Sequence, residues 1–380
     1  MQVLTVDIGT GTQDIYLFQE GLSLENGFKL VMPSPTMIMR ERIREVTRRG
    51  EAILLTGVTM GGGPCHWAAE DHLRAGYSLY ATPEAAQTFN DDLQLVQEEM
   101  GVTIVSEDEA AHLKSVSQID LRDFDFEVIS RSFAAFGVRL NPQAVGVGVF
   151  DHGAAPPDVS DRQFRFDYLQ TRIETHNKLT AFAYLSDAVP PIMTRMGAVA
   201  RSAPTLDCPL LIMDNAPAAI LGATFDPVVA SLETSLITNI GNFHALAFRI
   251  GPSGIEAVFE HHTGLINQSR LETLLLALAE GSLTHDEIFD EHGHGAIVFH
   301  SESLPVDDGF RPIVTGPRRS MMQGSDLQPY FAVPFGDMML TGCFGLLSAI
   351  AEFVPTLEPI IQSSMKGSGI DAAPWDREDH

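Results

Sequence analysis

Cysteine is scarce in this sequence: Cys65, Cys208 and Cys343 are the only three. An odd number spread so widely draws neither a disulfide framework nor a clustered zinc or iron–sulfur motif, and it points to a reducing, cytoplasmic compartment. No run of about 18 apolar residues occurs, so no membrane span is expected. The first residues also lack the basic segment and apolar run of an export signal. Basic residues are few: 24 Lys and Arg face 50 Asp and Glu, for a net charge of −26. Such a field repels phosphate backbones and anionic lipid, which argues against nucleic acid and membrane as partners. A small anionic ligand is still compatible with it, because helix N-termini, backbone N–H groups and a bound cation neutralise phosphate locally.

What is present describes a compact chain of 380 residues, 44% hydrophobic and 19% charged. That length exceeds what one core usually serves and predicts two domains or two lobes around a cleft. The apolar run Val3-Leu4-Thr5-Val6 breaks into a glycine-rich turn and resumes as Ile15-Tyr16-Leu17-Phe18, a β-hairpin with a glycine elbow. Further strands are expected at 28–32, 53–56, 102–105, 144–150 and 209–213, with helices at 66–75, 83–100, 124–136, 160–175 and 187–200. The alternation argues an α/β fold.

From Leu236 the pattern starts again. Ile237-Thr238-Asn239-Ile240-Gly241 echoes Leu4-Thr5-Val6-Asp7-Ile8-Gly9, a strand running into a glycine elbow, followed by strands at 243–248 and 255–260 and a helix at 266–280. After a polar, Gly/His/Pro-rich stretch come a strand-to-glycine break at 313–317 and a small-residue helix within 334–352. The expected division is a first lobe at 1–230, a second at 231–365 and a tail at 366–380.

These segments, in this order, resemble the motifs of the superfamily of actin, sugar kinases and heat-shock chaperones. Val6-Asp7-Ile8-Gly9-Thr10-Gly11-Thr12-Gln13-Asp14 is similar to its first phosphate motif, and Thr238-Asn239-Ile240-Gly241-Asn242 stands where the second belongs. Met213 to Ala219 resembles the first connecting helix, Ile313-Val314-Thr315-Gly316-Pro317 the adenosine motif, and 337–349 the second connecting helix. The whole chain also resembles a bacterial and archaeal family often labelled a pyruvate formate-lyase activating enzyme. That label implies radical S-adenosylmethionine chemistry, which needs three closely spaced thiolates, and Cys65, Cys208 and Cys343 have no such spacing. The resemblance implies two lobes of duplicated ribonuclease H-like architecture around a nucleotide cleft, with ATP and Mg²⁺ as cofactors and an ATP-dependent kinase or ATPase activity. Acceptor and protein partner are not implied.

The chemistry of the first motif can be argued from its residues. Gly9 and Gly11 let the backbone reach positive φ and approach a ligand, successive N–H groups point at phosphate oxygens, and Thr10, Thr12 and Gln13 add donors. Asp7, at the end of a buried strand, would face Mg²⁺. A hairpin with a glycine-rich turn and no ligand is the plain alternative. In the second motif the family's aspartate is replaced by Asn239, followed by Gly241 and Asn242; an amide neither charges a metal site nor acts as general base. That favours nucleotide as a switching or sensing ligand over turnover. Asp151 and Asp214, each ending a buried strand, are the candidate substitute bases, with helix capping the alternative for Asp214. Thr315 and Gly316 would meet the adenosine, with Arg318 and Arg319 nearby to stack or pair.

The remaining signals are weaker. Gly61-Gly62-Gly63-Pro64 could form another anion loop at a helix N-terminus or merely connect a strand to a helix. Thirteen histidines occur. The pairs His261/His262 and His292/His294 could ligate zinc, iron or nickel, with surface or internally satisfied histidines as the alternative.

Overall fold

The computed structural model describes residues 1–304 and 310–367. Beyond its first two residues, the expected tail lies outside the described residues.

The chain begins with an antiparallel meander. β1 (Gln2–Ile8) pairs with β2 (Thr12–Gln19), and β2 with β3 (Phe28–Pro33). β1 and β2 are buried through their middles because Val3, Leu4, Val6, Ile15, Leu17 and Phe18 offer apolar side chains to both faces. An inserted layer follows: β4 (Ala52–Gly57), β5 (Leu79–Ala81), β6 (Thr103–Ile104) and β7 (Val116–Leu121) form a separate parallel sheet in the order β6-β5-β4-β7. The chain then returns to the first sheet with β8 (Ala144–Val149), β9 (Ala183–Leu185) and β10 (Leu210–Asp214). Its final order is β3-β2-β1-β8-β10-β9, with β1, β8 and β10 parallel.

The second lobe repeats this plan. β11 (Ser235–Ile240), β12 (His244–Gly251) and β13 (Gly254–His262) form the meander, and β14 (Gly295–Val298) extends its outer edge. β15 (Ile313–Thr315) and β16 (Tyr330–Phe331) lie parallel to β11 on the other side, giving β14-β13-β12-β11-β15-β16. With the edge strands β9 and β14 set aside, both sheets have three antiparallel strands followed by two parallel ones. This is the duplicated ribonuclease H-like architecture that the sequence implied.

Two helices cross between the lobes. Thr341–Phe353 buries Cys343, Phe344, Leu346, Leu347 and Ile350 against the first sheet, where Glu358–Met365 joins it. Each fully buried Leu or Ile there is worth about 1.5–3 kcal/mol of transfer free energy. Asn215–Ala223 instead sends Ala216, Ile220 and Ala223 into the core of the second sheet. The crossing point is set by two glycines: a Cβ on Gly222 would collide with the Thr341 carbonyl oxygen, and one on Gly345 with that of Ala218.

Several expected elements differ. Residues 83–100 are not one helix but Pro83–Ala86, Leu93–Leu95 and a π turn over Val96–Met100. Between them the Asn90 side chain accepts from Asp92 N (2.8 Å) and the Asp92 side chain from Gln94 N (2.9 Å), local bonds that compete with the helical ladder. Residues 187–200 are helical only within Thr194–Arg201, since Pro190 and Pro191 cannot sit in a helix interior. The polar stretch after Gly281 contains a helix, His285–Phe289, as well as β14. The helix expected from Pro334 starts at Thr341, after a turn in which Phe335 has φ 50°.

Candidate functional site

Both glycine elbows close with the same bond. Gly9 N donates to the Thr12 carbonyl oxygen at 2.9 Å, and Gly241 N donates to that of His244 at 2.9 Å. The equivalence places Asn239 where the first lobe has Asp7, and His244 where it has Thr12. The elbows face each other so closely that a Cβ on Gly11 would run into the Asn242 side-chain amide, with Cγ at 3.1 Å. Neither Gly9 nor Gly11 has the positive φ expected of it. At Gly11 the requirement is room for the opposing turn.

Between them lies a cleft of ≈ 790 Å³ whose wall includes Asp7, Gly9, Thr10, Thr12, Asp151, Asn239, Gly241 and Asn242. Ser34 steadies the first turn: its hydroxyl donates to Thr10 O at 2.6 Å and its N–H to Gly11 O at 3.1 Å, which occupies the carbonyls and leaves the turn's other face to the cleft. Gly61, Gly62 and Gly63 join the same wall, the Gly63 Cβ position being 3.6 Å from Thr10 Cγ2, and Gly63 caps the helix Pro64–Arg74. The glycine run is thus a loop of the cleft. Trp67 of that helix faces Phe243 of the second turn across 6.1 Å between ring centroids.

The other predicted residues have different surroundings. Gln13 turns to the sheet edge, where Nε2 donates to Pro33 O at 3.0 Å. Gly316 packs on the Asn239 side chain with φ 96°, Thr315 is buried beside Thr341 with their hydroxyls 3.3 Å apart, and Pro317 is the member of that motif on the cleft wall. Arg318 and Arg319 are not on the wall. Asp214 is not on the wall either: it caps its helix, accepting from Ala216 N at 3.0 Å, and pairs with the buried Arg165 at 2.6 Å. Asp151 is on the wall, but its two oxygens accept from Gly153 N and Met196 N, each at 2.9 Å, and burial lifts its carboxyl to about 6 against those bonds.

The sequence singles out Asp7 alone as the residue facing Mg²⁺, and the structure pairs it with Asp14. They are direct cross-strand partners on β1 and β2, so both side chains leave the same face of the sheet. An oxygen of each, Oδ1, is buried without a hydrogen-bond partner. Burial raises Asp7 to about 7, with the Asn215 amide working against the rise and the Asp214 charge adding to it; burial together with the Asp7 charge raises Asp14 to about 8. Two neighbouring carboxyls so placed either retain protons or hold a cation. The rest of the cleft is acidic too, with Asp91, Asp92, Asp151 and Asp161 on its wall. Arg195 is the one Lys or Arg there among the described residues, and it is already paired with Asp123 at 2.7 Å.

Histidines from both lobes gather beside the second turn. His152 and His244 line the cleft and His294 lies behind them; one ring nitrogen of each falls within 4.8 Å of the others. His262 is close, its ring centroid 4.7 Å from His294 and 5.1 Å from His244. Burial, followed by neighbouring positive or potentially positive groups, holds His152 down at about 3 and His244 and His294 well below the usual imidazole range. Of the pairs noted in sequence, His261 turns to the carbonyl of His262 and His292 sits in a turn with φ 64°. The cluster draws on His152, His244 and His294, at least 50 positions apart (294 − 244 = 50), so no spacing in the sequence could have announced it.

The family described as "Putative pyruvate format-lyase activating enzyme (DUF1786)" matches residues 60–321. The chain belongs to that family. Its description has no thiolate set here to support it: Cys65, Cys208 and Cys343 pack into three different hydrophobic clusters. The duplicated sheets and crossing helices have the two-lobed arrangement that the sequence resemblance implied. Among solved structures the chain is similar to the ethanolamine utilization protein EutJ from Carboxydothermus hydrogenoformans, at 11% identity, covering 91% of this chain and 89% of that one, with a TM-score of 0.33. An activator of 2-hydroxyisocaproyl-CoA dehydratase from Clostridium difficile matches at 11% identity over 98% and 99%, TM-score 0.31. A ROK hexokinase from Thermus thermophilus matches at 12% over 94% and 79%, TM-score 0.22. No curated protein matches the chain significantly. No helix among the described residues is long and apolar enough to cross a membrane.

Proposed function

We propose that this protein binds ATP as its magnesium complex in the interlobe cleft, with the phosphates between the two glycine turns and the cation at Asp7 and Asp14. The observation that supports this reading is the meeting of two equivalent turns, one from each lobe, at Gly11 and Asn242. Their N–H groups supply donors to anionic oxygens. The acidity of the cleft decides which form of nucleotide it takes. With a single, already paired arginine on its wall, it repels free polyphosphate and favours a complex whose divalent ion is shared with protein carboxylates.

In this reading Asp7 and Asp14 position the cation, and Thr10, Thr12, Gly241 and Asn242 orient the phosphates. Asn239 fills the second-lobe position of Asp7 with a neutral amide, and Asp151 is held by main-chain N–H groups. Neither offers a free carboxylate to activate an attacking hydroxyl. The protein therefore acts chiefly as a nucleotide-dependent switch on a partner, and transfer to a small acceptor is the second reading. Thermal-shift titration with ATP and Mg²⁺, on the natural chain and on Asp7→Ala, tests the proposal. A saturable rise in the natural chain that Asp7→Ala loses supports it, and no nucleotide effect in either sinks it. Phosphate release measured alongside distinguishes the two readings.

A further inference from the structure

Beside the second turn, the cleft has a set of imidazoles drawn from both lobes that nucleotide binding does not use. His152 follows β8, His244 opens β12 at the base of the second turn, and His294 immediately precedes β14. The Nε2 atoms of His152 and His294 are 3.1 Å apart. Two nitrogens each about 2.0–2.1 Å from one ion, at tetrahedral or octahedral angles, stand roughly 2.8–3.4 Å apart. We infer that His152, His244 and His294 form a binding site for a divalent transition metal of the zinc, cobalt, nickel or iron(II) class, with an open coordination position toward the cleft.

Three further observations support this site. The first is that His244 Nε2 is buried and has no hydrogen-bond partner. Leaving such an atom unsatisfied costs about 1–3 kcal/mol. A hydrogen bond between His152 and His294 would explain their approach, but it leaves His244 orphaned; an ion satisfies all three once the rings, whose nitrogens lie within 4.8 Å of one another, close on it.

The second is an outer carboxylate. His294 Nδ1 lies 3.4 Å from Glu260 Oε1, which has no hydrogen-bond partner, while Glu260 Oε2 accepts from Arg165 at 2.9 and 3.0 Å. A carboxylate facing one ring nitrogen favours the N–H there and leaves the lone pair on the other, the usual way a metal-bound histidine is oriented. Phe150 stacks on His244 with centroids 4.2 Å apart and braces that ring.

The third is charge. Arg165, the cation behind the histidines, is paired on both sides, with Asp214 and Glu260, so its charge is offset there. A guanidinium offset in this way opposes a divalent cation less than a free one would.

An all-imidazole set selects against Mg²⁺, which prefers oxygen, so this site is chemically distinct from Asp7 and Asp14 and does not depend on the nucleotide reading. His152 and His244 line the cleft, which gives the ion a route in and a face toward whatever ligand the cleft holds.

The test is cobalt titration of the full chain after chelator dialysis, followed by visible absorption, with Mg²⁺ present throughout. One equivalent of Co²⁺ should develop the d–d bands of a nitrogen-bound ion, and one equivalent of Zn²⁺ should abolish them. His152→Gln and His244→Gln, on the cleft wall, should each weaken uptake about 100-fold or more, and Glu260→Gln roughly 10–100-fold. His112→Ala, at an exposed position, should leave uptake unchanged. Far-UV circular dichroism verifies that each variant is folded. His294→Ala serves as a third ligand test only if it folds, and the two cleft-wall variants decide without it. Absence of stoichiometric Co²⁺ and Zn²⁺ uptake by the natural chain, or uptake that survives both glutamine substitutions, overturns the inference.

Discussion

Asp7→Asn should make the cation-free protein more stable while removing its response to magnesium nucleotide. The folded state raises the Asp7 carboxyl from 3.8 to about 7, with burial as the main cause. At about 1.36 kcal/mol per pKa unit, this corresponds to a preference of about 4 kcal/mol for the neutral form. Below the unfolded value of 3.8 the group is neutral in both states. Between there and about 7 the folded chain retains a proton that the unfolded chain has released, so stability falls as pH rises through that window. The full penalty is present above it. An amide is nearly isosteric with the carboxylate and uncharged, but its NH₂ still needs a partner, so the net gain at pH 8 should be about 1–3 kcal/mol. For a chain of this size that is roughly 2–4 °C in Tm. At pH 4.5 about 3 kcal/mol of that penalty is gone, so the variant should melt level with the natural chain or up to about 3 °C below it. Scanning calorimetry in chelator, at both pH values, reads this directly. With ATP and Mg²⁺ at 100 times Kd, the natural chain gains about 2.7 kcal/mol and the variant gains almost nothing. A variant destabilised equally at both pH values, or one retaining the full nucleotide shift, would refute the reasoning.

Gly11→Ala places a methyl group against the Asn242 amide between the two turns; nucleotide affinity should fall about 10-fold or more by calorimetric titration, with Tm little changed because Asn242 is an exposed side chain that can yield. Gly222→Ala drives a Cβ into the Thr341 carbonyl oxygen, and a rigid backbone obstacle should cost about 3 kcal/mol or more in urea unfolding, or prevent folding; a neutral result would contradict the close crossing of the two helices. Arg165→Leu leaves Asp214 and Glu260 buried without their shared guanidinium and should destabilise by about 3–5 kcal/mol in urea unfolding.

Local signals were legible in the sequence wherever neighbouring residues decide the structure. The two elbows could be read because apolar runs break at Gly9 and Gly241, and the duplication because both runs are followed by a second and a third strand. Asp7 was found for the same reason, as the polar end of a buried strand. Asp14 was not singled out, since only the β1–β2 register sets its carboxylate beside that of Asp7. The distance between chain positions hid the rest. Arg165 lies in a helix, Asp214 ends β10 and Glu260 lies in β13; their contact follows from how the lobes pack. The histidine cluster likewise comes from three strand ends, and the sequence pairs that looked suggestive each contribute at most one ring to it. Proline and Asx bonds set the limits of the expected helices at 187–200 and 83–100, where helical periodicity continued but the backbone could not follow.

The central claim is that one magnesium nucleotide binds between the two turns. Isothermal titration of the full chain with ATP, in Mg²⁺ and then in chelator, tests it most directly. The account predicts a single site per chain in Mg²⁺, much weaker binding in chelator, and no site in Asp7→Ala. The absence of binding heat at every Mg²⁺ concentration, or equal affinity with and without the cation, would contradict it.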